Sequence, residues 1–471
     1  MATGFACGYF YATIFNRMKV KIYDKSQIDF DHLLFTPKKL WKIIIPVMAE
    51  QVLNSFMGLM DTMMVSRVGS VAMSAVSLSD TINMLLIMVF SALAAGGTIV
   101  CSNYIGQQDE KKANKAAEQV FLAMLFLSLA VTLICVGFRR PLLSLIFGQI
   151  EADVMNDALI YFAITAASYP FIALFSSGSA FFRASGNTKF PMKISIISNV
   201  INVGLNAVFI FACGWGVMGA ALATLISRVF SMVAVHIGLA RPRQIIVLKN
   251  YTSFRPDWAL LKKILSIGIP SGIENGMFQF GKLVIQSSVS TLGTTAIAAQ
   301  AMTNIFENVN GVCAQGVGIA LLTVAGYSYG AGRKEETRYY IAKMCWYAEI
   351  VMIISCLLTY AASNPVMMLA GMEIESAKLC HYMLLWITII KPMFWVLSFT
   401  LPSGLKACLD VRFTMTVSVC TMWLLRVMVA VVLIRVFGFG PIAVWIGMFC
   451  DWFLRGCIFS TRFLSGKFYR K

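Results

Sequence analysis

Residues 44–61 read IIPVMAEQVLNSFMGLMD. The stretch is apolar enough to cross a bilayer as a helix, yet it carries two acids, Glu50 and Asp61. An acid at the centre of a spanning helix costs about 2.5–3.5 kcal/mol on insertion scales. Eleven residues separate the pair, about three helical turns, so both acids share one face about 16 Å apart. Asn54 lies between them near the same stripe, and Gln51 follows Glu50.

The whole chain has this character. Its 471 residues are 58% hydrophobic and 13% charged, where a soluble domain carries about 25% charged residues. Mean hydropathy is +0.75. Apolar blocks of spanning length recur from end to end, which indicates an all-α polytopic membrane protein. The net charge of +17 sits mostly in short loops between these blocks. That pattern sets topology and excludes a nucleic-acid-binding face. The cysteines form no CxxC pair, and most lie inside apolar blocks (Cys101, Cys135, Cys213 and Cys420), as small buried hydrophobes do. His32, His236 and His381 are too scattered for a metal site. No Gly-rich phosphate loop and no paired acid–base motif occurs, so neither an ATPase, another enzyme, nor a cofactor is expected. Residues 1–16 lack a basic leader segment, so no signal peptide is expected, and Met18 is a candidate start.

About twelve spans are expected: 40–66, 75–103, 117–138, 158–181, 190–212, 216–239, 263–290, 297–327, 339–362, 377–403, 413–436 and 440–461. With the N-terminus inside, the outer side holds only Arg67, Arg139, Arg140, Lys378 and Arg435 of the loop cations. Both termini are therefore expected in the cytoplasm of a plasma-membrane protein. The chain also repeats. Shifted by 224 residues, IPVMAEQVLNSF (45–56) falls on IPSGIENGMFQF (269–280), aligning Pro46 with Pro270 and Glu50 with Glu274. The register continues without a gap, aligning Gly69 with Gly293 and Gly106 with Gly330. RASGNTKFPM (183–192) resembles KACLDVRFTM (406–415) at a shift of 223. Six spans per half make the repeat parallel, as in transporters that rock two halves about a central site. The expected domains are a tail (1–38), an N-lobe (39–239), a linker (240–262), a C-lobe (263–462) and a basic tail (463–471).

The stretch IPVMAEQVLNSFMGLMDTMMVSRVG (45–69) resembles the first helix of multidrug and toxic compound extrusion (MATE) transporters, with its Pro46, its Asp61-Thr62 pair and its closing Gly69. NYIGQQDEKKANKAAEQ, NVGLN (202–206) and WGVMGAALAT (215–224) resemble later parts of the same family. The resemblance implies two six-helix lobes in a V and secondary active efflux of amphipathic, often cationic drugs, driven by inward H⁺ or Na⁺. It also implies a cation or proton site of Asp61, Asn202, Asn206 and Thr224. Asn206 stands where many members carry a second acid, which leaves the coupling ion open between H⁺ and Na⁺.

Glu50, Gln51, Asn54, Glu274, Gln279, Lys282 and Glu307 are the candidates for a central, substrate-facing cavity. Asp80 and Asn83 align with Asn304 and Glu307, on expected outer-cavity walls. Asp451 and Arg455, four apart, are expected to form a structural pair. The expected partners are small organic cations and the lipid bilayer, with the chain a monomer. A lipid-linked oligosaccharide flippase is the alternative, on the strength of the cations Lys282, Lys391 and Arg426.

Overall fold

The computed structural model describes residues 23–148, 151–242, 244–249, 251 and 254–469. Met18 lies outside them. The described residues form helices joined by loops, with no strand among them. The helices are α1 (Pro37–Ser66), α2 (Ser70–Gly106), α3 (Glu110–Gly137), the short α4 (Arg139–Phe147), α5 (Ala152–Ala167), α6 (Tyr169–Ala184), α7 (Lys189–Asn206) and α8 (Gly216–Leu239). After a loop come α9 (Trp258–Val289), α10 (Thr294–Gly330), α11 (Lys334–Leu369), α12 (Ile374–Trp395), α13 (Leu401–Ala407), α14 (Val411–Thr421), α15 (Met428–Arg435) and α16 (Ile442–Leu464).

Among the described residues three helices widen into single π-helical turns. These are Ala207–Ala212 after α7, Val396–Thr400 between α12 and α13, and Met422–Val427 between α14 and α15. Such turns inside otherwise regular helices are frequent at functional sites.

Among the described residues ten continuous helices are long and apolar enough to span a membrane, and α5 with α6, bent by 40°, makes up to eleven if the pair is taken as one broken span. Pro170 opens α6 and cannot continue the ladder of α5, so the bend falls there. The twelfth expected span is the helix α9. It is 32 residues long but carries Lys262, Lys263, Glu274 and Lys282, and it is not among the apolar spans.

The internal repeat is visible as geometry. α2 and α10 are both 37 residues long and start 224 positions apart. Each is preceded by a glycine with positive φ, Gly69 at 145° and Gly293 at 92°, a conformation that side chains disfavour.

The chain divides into two units: Ile45–Gly272, and residues 23–44 with 273–469. The divisions fall inside α1 and α9, beside Pro46 and Pro270, rather than in the 240–262 loop. The reason lies in α3. Asn114 accepts from the Val247 N–H (2.7 Å). Buried Gln119 donates to the Arg255 carbonyl (2.9 Å) and accepts from the Asp257 N–H (2.8 Å). Lys115 pairs with Asp257 at 2.6 Å. These contacts fasten the loop to the N-terminal unit. Gln119→Ala strands two backbone groups, at a cost of about 1–3 kcal/mol. Chymotrypsin should then cut after Phe254 faster than in the wild type; an unchanged rate would show that the loop is held by other contacts.

Residues 23–36 are likewise fastened, to α11 of the C-terminal unit. The Leu34 N–H donates to Glu336 Oε1 and the Phe35 N–H to Tyr340 Oη, both at 2.8 Å. In the N-terminal unit α2 and α9 approach closely: a Cβ on Gly96 would lie 3.2 Å from the Gly268 nitrogen. Small residues permit such approach where no hydrophobic drive acts between spans.

Candidate functional site

The N-terminal unit holds a connected polar cluster. Asp61 sits late on α1, one turn before the buried Val65. Asn206, the last residue of α7, donates from Nδ2 to Asp61 Oδ1 (2.7 Å) and to Asn202 Oδ1 (3.1 Å). Asn202, one turn back, points its own Nδ2 at Thr224 Oγ1 (3.5 Å) and Ser227 Oγ (3.4 Å) on α8. The four residues implied by the resemblance therefore meet in one chain of hydrogen bonds. The amide orientation of Asn206 follows from its surroundings, because two acceptors flank its nitrogen. Its Oδ1 is thereby left buried with no partner beside the Asp61 carboxylate. Val65, Ala72, Val76, Tyr161, Ile210, Val217, Ala220 and Ala221 form an apolar core next to this cluster.

A second carboxylate joins the site from α2. Asp80 Oδ1 accepts from Asn83 Nδ2 (3.0 Å) and Tyr161 Oη (3.2 Å). Tyr169, the first residue after the α5–α6 bend, donates to Asn83 Oδ1 (2.6 Å). Arg228 on α8 donates to Ser168 Oγ at the bend itself (2.6 Å) and lies within electrostatic range of both Asp80 and Asp61. Two acids and one arginine thus share the site. With both acids ionised its net charge is −1, so one proton or one monovalent cation neutralises it.

Asp80, Tyr161 and Arg228 were not expected at the coupling site. They come from three helices and from positions as far as 167 residues from Asp61, and only lateral packing brings them in.

Glu50 and Glu274 each belong to an ion pair within their own unit. Arg183, in the last turn of α6, approaches Glu50 at 3.3 Å. Lys406, in the last turn of α13, approaches Glu274 at 2.7 Å. Arg183 and Lys406 are themselves aligned by the 223-residue shift, so the duplication carried an ion pair rather than a lone acid. Gln51, Asn54 and Gln279 share helices with these acids. No side-chain hydrogen bond joins them to either cluster among the described residues.

In the C-terminal unit Glu307 on α10 pairs with Lys391 on α12 (2.7 Å). The Lys391 ammonium also donates to the Glu307 carbonyl (2.9 Å) and to Asn310. Asp451 and Arg455 form the expected pair one turn apart on α16, fully buried. Lys282 lies within electrostatic range of Glu307, Lys391 and Arg426. Glu349 on α11 is buried, with neither carboxylate oxygen partnered, and was not singled out from the sequence. Among the described residues no group of three metal-ligating side chains occurs.

The MatE family model matches this chain twice, over residues 46–208 and 270–432, at the repeat's own offset of 224. The chain belongs to the MatE family. It is a multi-span membrane transporter of that family. Among curated relatives, a probable multidrug resistance protein NorM of Thermotoga maritima is 26% identical over 92% of this chain and 93% of its own length. The uncharacterized transporter YisQ of Bacillus subtilis is 27% identical, covering 90% and 94%. An outward-facing multidrug resistance MATE transporter superposes with a TM-score of 0.85 at 19% identity, covering 91% of this chain and 96% of that one. A transporter of the MOP superfamily from Pyrococcus furiosus, described by the reverse polarity of its binding pocket, gives 0.81 at 22% identity, covering 91% and 95%. These two curated relatives match over nearly the whole length of both chains, so both halves of the repeat are shared with them.

Proposed function

We propose that this MatE protein exports amphipathic organic compounds by alternating access, coupled to inward H⁺ or Na⁺ through the N-terminal unit. One observation carries the coupling: the buried, unpartnered Oδ1 of Asn206 beside the Asp61 carboxylate. Together they offer an incoming cation a charge and a second oxygen. Asp80 supplies the second carboxylate that Asn206 does not, and Arg228 limits the net charge to one unit. The multidrug resistance relatives support drugs or toxic compounds as substrates and do not favour the flippase alternative. The expectation of cationic substrates rests on the resemblance. In the C-terminal unit it meets a cluster in which cations outnumber acids.

One charge moving down 100 mV releases about 2.3 kcal/mol. At 1.36 kcal/mol per decade this sustains a substrate gradient of roughly 50-fold.

The test is uptake into inverted vesicles, under an imposed proton gradient and then a Na⁺ gradient. Ethidium and 1-pyrenebutyrate serve as probes of opposite charge. Accumulation under one gradient is expected and identifies the ion. If neither probe exceeds the level in protein-free vesicles under either gradient, the efflux reading fails.

A further inference from the structure

Among the described residues of the C-terminal unit, the cations Lys282, Lys391, Arg426 and Arg455 and the carboxylates Glu307 and Asp451 are linked within electrostatic range. Lys391 uses Glu307, and Arg455 uses Asp451. Arg426 and Lys282 remain. Arg426 stands in the π-helical turn Met422–Val427 and is 7% exposed. Its Nε is buried without a partner, and no hydrogen bond or ion pair reaches the guanidinium among the described residues. Lys282 sits one turn after Phe278 on the same face of α9, and its side chain is accessible. Phe278 is the ring against which Arg426 (5.9 Å) and Arg455 (4.7 Å) lie, so this face of α9 looks into the cluster. Counting Glu349 as a third acid would still leave one cation over.

Uncompensated charge inside a membrane span is costly, and such groups mark sites where charge is brought in. A guanidinium fork with a nearby ammonium suits an oxyanion. The walls are aromatic. Trp395 lies 5.5 Å from the Lys391 ammonium and stacks on Phe399 at 4.9 Å, and Phe399 in turn lies 6.0 Å from Phe278. Gly311 makes room for Lys391, since a Cβ there would sit 3.2 Å from Nζ.

We infer that the C-terminal unit contains an anion-recognition site, built on Arg426 and Lys282, for the carboxylate, sulfonate or phosphate group of an aromatic or amphipathic organic compound. The inference rests on the efflux reading only in making that compound a transported substrate. The two units then divide the work by charge: an acidic cluster takes the coupling cation and a basic one takes the anionic head of the substrate.

Two fluorescent probes with the same ring and spacer test this, 1-pyrenebutyrate and (1-pyrenylbutyl)trimethylammonium, titrated into the full-length protein in neutral detergent. The butyrate is expected to bind at least about tenfold more tightly than the ammonium. Arg426→Gln and Lys282→Gln should each weaken it about tenfold to a hundredfold, the range for a charge-assisted hydrogen bond. The ammonium should be unaffected. Arg426→Gln should also keep or raise the thermal midpoint, because it removes an unpaired charge. Equal binding of the two probes, or butyrate binding indifferent to both substitutions, overturns the site. So does an Arg426→Gln midpoint well below wild type with binding intact, which marks a structural arginine. Displacement of the butyrate by equimolar dioleoyl phosphatidic acid would assign the cluster to a lipid headgroup and overturn the small-molecule assignment. Binding needs no gradient, so charge-selective binding without driven transport sinks the efflux reading alone. Driven transport of the ammonium by a protein that binds no butyrate sinks the site alone.

Discussion

Asp61→Asn is expected to abolish gradient-driven accumulation, taking a ratio of up to roughly 50-fold to about one, while the protein still folds. The substitution keeps shape and most bonding. The hydrogen bond from Asn206 Nδ2 (2.7 Å) can go to an amide oxygen as readily as to a carboxylate. What disappears is the charge that a proton or Na⁺ would neutralise. Asp80→Asn is the informative companion, since the donors Asn83 and Tyr161 still find an oxygen there. It removes one of the two acids near Arg228 and leaves the site neutral before any ion arrives. Transport should fall in both variants, with detergent-phase binding of the pyrene probes unchanged. Inverted vesicles carrying Asp61→Asn that still concentrate either probe under the coupling gradient would remove Asp61 from the mechanism.

The largest stability effect is expected at Asp451. Its carboxylate is fully buried and faces the Arg455 guanidinium, which is itself 1% exposed. Phe278 and Phe399 lie on that guanidinium at 4.7 and 4.8 Å, so no water replaces a lost partner. Asp451→Asn leaves a buried arginine without its counter-charge, at a cost of about 3–5 kcal/mol. Replacing both residues with neutral ones of similar volume, as in Asp451→Asn with Arg455→Met, should recover most of that loss. Thermal unfolding in detergent measures both. A single variant as stable as wild type would mean that Arg455 is held by its aromatic neighbours.

Much of this architecture was legible in the sequence, and the reasons are physical. Spans announce themselves because a bilayer demands about twenty apolar residues. The 224-residue offset survived because Pro46, Glu50 and Gly69 each do a job that their counterparts Pro270, Glu274 and Gly293 must also do. The Asp451–Arg455 pair was readable because one helical turn fixes it. The partners of Asp61 outside the resemblance were not readable. Which of its faces a span turns to which neighbour is set by packing, and Asp80, Tyr161 and Arg228 lie on separate helices. Lys391 and Glu307 are 84 residues apart, and nothing local joins them. The partnership of Glu50 with Arg183 was within reach, since both shifts were visible, but aligned positions say nothing of contact until the helices are placed.

That doubled ion pair also dates the parts of the molecule. Each half contains an acid and its own base, Glu50 with Arg183 and Glu274 with Lys406. The pair therefore belongs to the segment that was copied. The earlier, half-length chain would have folded with the charge already balanced, needing nothing from a second copy at that point. Asp61 faces Ile285 at the 224-residue shift, and Ser168 faces Lys391 at the 223-residue shift. Those differences arose after copying, when each half was free to change the sign of its interior. The shared pair is inheritance, and the opposed charges of the two interiors are specialisation.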